Sequence, residues 1–254
     1  MKKKWNKVTA ALLMLVMVVT TVLGAAPALS VKAEPVTMGH LKSGSGNANG
    51  HFGSATPEAF VLSEKADYTN QAYSLKLRIN SDVDKTRLRI VTKYKDDNNW
   101  AFLMHDVGSW KWQYKKDGNE AWQNDTLALP RLEKGQLAEI KLSYKDNGLE
   151  IDVNGTKATV TEANFVALKD VQGKVGVGGA TFGDAYTDVY FNDVVVGETK
   201  EDLNTWKLYK DNLAGQEWDP AAQYEETVPA GRKWITIRTG SCLLYTSPSP
   251  RDIS

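Results

Sequence analysis

The stretch Tyr73-Ser74-Leu75-Lys76-Leu77-Arg78-Ile79 decides the class of this chain. Apolar residues alternate with polar ones along it. Successive strand residues point to opposite faces, whereas a helix gathers its apolar side chains every third or fourth residue, so the segment reads as a half-buried β-strand. Working outward, Leu88, Ile90, Thr92 and Tyr94 form the next strand, and Asp96-Asp97-Asn98-Asn99 is the turn into Trp100, Phe102 and Met104. Further runs are Trp110 to Lys115, Ile140 to Tyr144, Leu149 to Val153, Ala158 to Thr161, Lys174 to Val177 and Thr187 to Val196. Asn154-Gly155 sits between two of these and is a strong hairpin signal, because a type I′ turn needs positive φ at both central residues. Roughly nine or ten short strands, with turn signals about every 8 to 12 residues, predict an all-β fold, an antiparallel β-sandwich or jelly roll. No helix of ordinary length competes; Asn164 to Lys169 has room for one helical turn before Gly173.

Composition narrows the function. Of 254 residues, 42% are hydrophobic and 24% charged, which describes a soluble globular chain. The 31 basic and 31 acidic residues cancel, yet five of the bases precede Glu34, and without them the body is mildly acidic. Nucleic acid is a poor partner for such a surface, since phosphate binding needs a dense cationic face. One cysteine makes no intrachain disulfide, and three scattered histidines show no zinc-ligand spacing, so the expected metals and cofactors are none.

The two ends read as processing or artefact. Lys2, Lys3, Lys4 and Lys7 precede a nearly charge-free stretch from Val8 to Leu29, and Val31-Lys32-Ala33 offers small or branched residues at the −3 and −1 positions. This order predicts a signal peptide over 1–33, cleavage before Glu34, export, and no membrane partner after cleavage. At the other end, Cys242-Leu243-Leu244-Tyr245-Thr246-Ser247-Pro248-Ser249-Pro250-Arg251-Asp252 resembles the translation of a transposon-end adaptor used in sequencing libraries. Residues 241–254 are therefore expected to be foreign to the natural protein, and the frame to be cut near Gly240. Between the ends, the Gly/Ser/Asn-rich run after Lys42 places a linker at 34–51, and the strand pattern places a sandwich domain at 52–197. The shift to Trp206, Tyr209, Trp218, Tyr224 and Trp234 reads as a linker and the start of a truncated second domain over 198–240.

Five segments, in order, resemble the concanavalin-like jelly-roll modules of secreted bacterial carbohydrate-active proteins. They are Thr92 to Trp100, Trp110 to Lys115, Leu149 to Gly155, Gly173 to Val177 and Val189 to Val194. The chain is similar over about residues 52–197 to the N-terminal sandwich module of endo-α-N-acetylgalactosaminidases, which release O-linked disaccharide from mucin-type glycoproteins. The resemblance implies a non-catalytic, carbohydrate-associated module of a secreted multidomain glycoside hydrolase. Its implied partners are glycans of the galactose or N-acetylgalactosamine type, or the parent's own catalytic domain. A surface adhesin or structural spacer is the alternative, because fold alone does not assign function.

Glu150-Ile151-Asp152-Val153-Asn154 also resembles the E-x-D-x-E strand of laminarinase-type glycoside hydrolases, in which the three carboxyl groups are nucleophile, orienting group and general acid/base. Here the third position is Asn154, and an amide delivers no proton to a leaving oxygen. The bland reading is the solvent face of an edge strand. Asp96 to Asn99 carries enough oxygens to suggest calcium but explains itself as a turn. His105 and Asp106, being adjacent on a strand, point to opposite faces, and Gly176-Val177-Gly178-Gly179 reads as a tight loop. No catalytic residue is nominated. The functional lead is aromatic: Trp110, Trp112 and Tyr114 share one strand face, with Trp100 and Trp122 near in sequence. A flat indole stacks on the apolar face of a galactose-type ring. The same stripe also suits a core, with Trp110, next to Gly108-Ser109 at the strand start, expected to be the exposed one.

Overall fold

The structure is a computed structural model of the 254-residue chain. It describes residues 34–43, 51–54, 59–122, 127–161, 163, 168–180, 186–209 and 215–225. The expected signal peptide, the adaptor-like tail and residues 164–167 of the 164–169 turn lie outside these residues. The described part of the unit Pro35–Tyr224 is built from strands. In chain order they are β1 (Val36–Lys42), β2 (Ala59–Leu62), β3 (Tyr73–Ile79), β4 (Arg87–Asp96) and β5 (Asn99–Asp106). There follow β6 (Ser109–Lys116), β7 (Asn119–Trp122), β8 (Ala138–Lys145), β9 (Gly148–Val153) and β10 (Thr156–Val160). Last come β11 (Lys174–Ala180), β12 (Asp188–Val196), β13 (Thr199–Lys200), β14 (Lys207–Leu208) and β15 (Glu217–Tyr224), with one 3₁₀ turn at Leu203–Thr205.

Two antiparallel sheets result, so the chain is the β-sandwich that its alternation predicts. The first runs β10-β9-β8-β3-β12-β1-β15, with β13 added on β12; the second runs β14-β2-β11-β4-β5-β6-β7. Period-two patterning directs Leu75, Leu77 and Ile79 of β3, Ile140 and Leu142 of β8, and Val189 and Phe191 of β12 into one buried cluster. Leu88 and Ile90 of β4, Leu103 of β5, and Trp110, Trp112 and Tyr114 of β6 meet them from the second sheet. Tyr73 ties the layers directly, its hydroxyl donating to the carbonyl of Gly176 at 3.1 Å. The Asn154-Gly155 turn has φ of 53° and 86°, the left-handed pair that a type I′ hairpin demands.

The second sheet is apolar on both sides. Trp100, Phe102 and Met104 alternate with the core-facing Ala101 and Leu103, and join Phe52, Phe60, Leu62 and Val91 in a separate cluster. Phe52 stacks on Phe60 at 3.9 Å, with Tyr94 and Tyr209 against it. This is why β2 and β5 read as nearly continuous hydrophobic runs.

Several expectations are corrected. Residues 36–42 are no linker: β1 lies between β12 and β15. Residues 199–208 and 217–224 do not open a second domain, since β13, β14 and β15 all pair within the sandwich, and Trp206 is buried in its core. The reason is a close approach that only the fold reveals. A Cβ on Gly39 would stand 2.8 Å from the Trp218 ring, so glycine there lets β15 seat its tryptophan against β1 and Phe191. Nor is Gly176 to Gly179 a loop. It lies within β11, where a Cβ on Gly178 would meet the Phe60 ring at 2.2 Å and one on Gly176 would meet the Val61 carbonyl at 2.3 Å. Strand β9 is flanked by β8 and β10, which leaves β10 as the edge.

Candidate functional site

The sequence-nominated aromatics do not form an exposed platform. Trp110, Trp112 and Tyr114 are 1%, 0% and 2% exposed, on the face of β6 turned towards the first sheet. Trp110 is fixed from three sides: its indole N–H donates to the Pro130 carbonyl at 2.7 Å, its backbone carbonyl accepts from Leu127, and the His105 ring sits edge-on at 4.9 Å. Trp100 lies on the other face of the second sheet, fully buried, stacked on Phe102 at 4.9 Å and covered by His51 and Phe52. Trp122 ends β7, where its backbone pairs with Gln113. An indole without exposed area has no face to offer a sugar, so the expectation for Trp100, Trp110, Trp112 and Tyr114 gives way to a core role; β6 needs that inward face to close the sandwich.

The carboxylates of β9 are equally committed. Glu150 is 3.1 Å from the Lys157 ammonium, and Asp152 accepts the Gly155 N–H at 2.7 Å. Asn154, in the position of the missing acid, accepts the Glu139 N–H at 2.8 Å and so braces the hairpin. His105 is buried and accepts the Leu132 N–H at 3.3 Å; burial, helped by nearby Arg131 and opposed by Asp106, pushes its pKa down to about 4. Asp106 points the other way and meets Arg87 at 3.2 Å. Among the described residues, no three His, Cys, Asp or Glu side chains gather where they could hold a metal ion.

The outward face of the first sheet is where polar and aromatic groups converge in reach of solvent. The alternation that buries Leu41, Val189, Phe191, Leu77 and Ile79 turns His40, Asp188, Tyr190, Arg78 and Asn80 outward. Register does the rest. His40 pairs with Tyr190 and Tyr190 with Arg78 across three neighbouring strands. The His40 ring lies parallel to Tyr190 at 4.2 Å and 9°, Tyr190 meets the edge of Tyr224 at 4.9 Å, and the Arg78 guanidinium lies over the Tyr224 ring at 5.1 Å. Arg78 also donates to the Gly135 carbonyl at 2.8 Å.

Asp188 anchors one end of this row. Its carboxylate is 2.9 Å from His40 Nε2 and accepts from Asn80 at 3.2 Å. Burial alone would raise its pKa, but these hydrogen bonds and the neighbouring Lys42 charge outweigh it and hold the group below the usual carboxylate value. His40 and Asp188 keep side-chain exposures of 16% and 14%, enough to touch a ligand while remaining positioned. Beside them Lys42 pairs with Glu217 at 2.9 Å and sits 4.9 Å over Tyr186, the most exposed tyrosine of this region. The glutamate hydrogen bond is the main reason the ammonium titrates higher than usual. The row offers donors, an acceptor and ring surface on a shallow face.

Sequence reading missed this row because its members fell in three separate assignments. His40 stood in a presumed linker, Tyr224 in a presumed second domain, and Arg78 and Tyr190 on strands read for their apolar side. The outward register of Arg78 and Tyr190 was available from the alternation; their meeting with residues 40 and 224 was not.

Comparison with known proteins finds partial likenesses to solved structures and one family match. The chain is similar to a 1.0 Å crystal structure of alginate lyase A1-II′, of polysaccharide lyase family 7, with a TM-score of 0.44 at 12% identity, covering 63% of this chain and 96% of that one. The carbohydrate binding module CBM66 from Bacillus subtilis gives 0.39 at 14%, covering 68% and 100%. CG-16, a homodimeric agglutinin from chicken liver, gives 0.35 at 16%, covering 53% and 100%. The match that assigns the chain is one of family: residues 28–193, well over half of it, fit the endo-alpha-N-acetylgalactosaminidase N-terminal domain. On that match the chain belongs to the endo-alpha-N-acetylgalactosaminidase N-terminal domain family.

Proposed function

We propose that this domain is the non-catalytic, carbohydrate-associated part of a secreted glycosidase acting on host O-glycans, and that it meets glycan across the outward face of β1, β3 and β12. The observation that carries this reading is the row His40–Tyr190–Tyr224–Arg78 with Asp188 at its end, the one place among the described residues where stacked rings, a carboxylate and a guanidinium reach the surface together. Galactose-type rings suit it, because their apolar face stacks against an aromatic ring while the hydroxyls on the other side need both donors and acceptors. Shallow sites of this kind bind weakly singly and gain from a tethered catalytic partner, since the second contact becomes intramolecular.

The test is calorimetric titration and glycan-array binding of the purified chain with galactose- and N-acetylgalactosamine-containing O-glycans. Tyr190→Ala and Arg78→Ala should each weaken binding at least several-fold, while Trp110→Phe, in the core on strand β6 of the other sheet, leaves it unchanged. Absence of glycan binding by the parent chain would overturn the proposal and favour a spacer that packs against the catalytic domain.

A further inference from the structure

The β9–β10 turn holds a reactive arrangement outside the glycan face. Asn154 and Gly155 are its two central residues, both exposed and both at positive φ. The backbone N–H of Gly155 donates to Asp152 Oδ1 at 2.7 Å. The side-chain carbonyl of Asn154 accepts the backbone N–H of Glu139 at 2.8 Å, and the Asn154 backbone N–H donates to the Glu139 carbonyl at 3.0 Å, so the asparagine is clamped to β8 at two points. No heavy atom lies within 4 Å of where a Gly155 Cβ would stand, so nothing crowds the glycine. Chemically this is a nitrogen nucleophile hydrogen-bonded to a carboxylate, next in the chain to a carbonyl polarised by an N–H donor. A base on the nucleophile and a donor on the oxygen that gains charge are what acyl transfer requires.

We propose that Asn154–Gly155 is a self-modification site, at which the Gly155 nitrogen closes on the side-chain carbonyl carbon of Asn154. The Gly155 proton passes to the Asp152 carboxylate as the new N–C bond forms, and negative charge gathers on the oxygen facing the Glu139 N–H. The carbon–nitrogen bond of the side-chain amide then breaks, and the nitrogen leaves as ammonia with the proton returned from Asp152. A five-membered cyclic imide remains. One water molecule opens it at either carbonyl, to aspartate or to isoaspartate, so the net change is water consumed and ammonia released. Glycine matters here as well as in the turn: with no side chain beside the nitrogen, the ring can close.

The consequence is structural. An aspartate at 154 adds a negative charge beside Asp152 and close to Glu139. An isoaspartate inserts an extra backbone carbon into a two-residue turn, and the register that pairs Thr156 with Val153 and Lys157 with Asp152 is lost. Because β10 is the edge strand, its release bares the edge of β9, so the modification marks aged molecules with a new unpaired strand.

The experiment follows the intact chain in neutral buffer, with peptide mapping by mass spectrometry reading the gain of about 1 Da that replacing an amide by a carboxyl produces. A free peptide spanning residues 149–157 is the unfolded reference. The folded chain should convert at Asn154 at least as fast as the peptide, and Asp152→Asn should slow it several-fold. Glu150→Gln, on the same strand but paired with Lys157, should leave the rate unchanged. Thermal melts of both variants verify that the hairpin is retained, and Asp152→Glu should restore part of the rate. Conversion slower than in the peptide, or a rate in Asp152→Asn equal to the parent's, would overturn the proposal.

Discussion

Trp110 donates its indole N–H to the carbonyl of Pro130 at 2.7 Å, and this contact closes the loop after β7 onto the strand that carries the largest side chains of the core. The indole therefore contributes both apolar burial and the hydrogen bond that satisfies a loop carbonyl. Trp110→Ala should cost about 3 to 5 kcal/mol, and Trp110→Phe, which keeps most of the packing but strands the Pro130 carbonyl, about 1 to 3 kcal/mol. Urea denaturation with an unchanged m-value checks both figures. A near-neutral Trp110→Ala would contradict the burial described here.

Gly176→Ala should be among the more damaging single-methyl additions. The new Cβ would lie 2.3 Å from the Val61 carbonyl oxygen and 2.7 Å from the Leu62 side chain, so β2 must move away from β11 to admit it. Overpacking of this kind costs about 1 to 3 kcal/mol. Gly155→Ala is the useful contrast: nothing stands within 4 Å of its Cβ, and its penalty comes from φ of 86° alone, about 1 kcal/mol. Melting temperatures of the two variants, measured side by side, should fall in that order.

Acid should destabilise the fold in a window set by His105. Its pKa is about 4 in the folded chain, against an ordinary 6.5, chiefly because burial penalises the imidazolium. The unfolded chain therefore takes up a proton as pH falls through 6.5 while the folded one does not, so stability declines from about pH 6.5 and levels off below about pH 4, by up to about 3 kcal/mol. His105→Gln should flatten this part of the stability profile, whatever its effect at neutral pH. An unaltered slope between pH 6.5 and 4 in that variant would refute the assignment.

Asp97 is expected to fasten two distant segments over the second sheet. Its Oδ1 accepts the hydroxyls of both Tyr209 and Tyr94, the latter at 3.1 Å, and the Tyr209 oxygen in turn accepts the Gly53 N–H at 3.3 Å. Burial and the adjoining carboxylate raise the Tyr209 pKa to about 12, so the hydroxyl stays a donor across the ordinary pH range. Asp97→Ala removes the carboxylate to which both hydroxyls donate and should cost about 1 to 3 kcal/mol. Hydrogen exchange should quicken at Gly53 and at Tyr209, whose own N–H donates to Phe60, before it quickens in β8 or β9. Uniform exchange in the variant would show that the cluster around Phe52 holds without the carboxylate.

What the sequence by itself determined is the local alternation: that Tyr73 to Ile79, Leu88 to Tyr94, Trp110 to Lys115 and Val189 to Val194 are strands with one buried face, that Asn154-Gly155 turns a hairpin, and that β9 lacks the third acid. Each of these depends on residues within a few positions of one another, where pattern and turn chemistry act directly. Only the tertiary structure decided which face of β6 meets the core, that Phe52 and Tyr209 roof the second sheet, and that residues 36–42 and 217–224 pair into the first. The physical reason is distance along the chain. Strand β1 alternates poorly and acquires its place from Gly39, which admits Trp218, and from Phe191, which stacks on that ring; nothing near residue 39 announces either partner. The row from His40 through Tyr190 and Tyr224 to Arg78 likewise exists only because three antiparallel registers bring it together, and a register is a property of pairs of strands, not of any one of them.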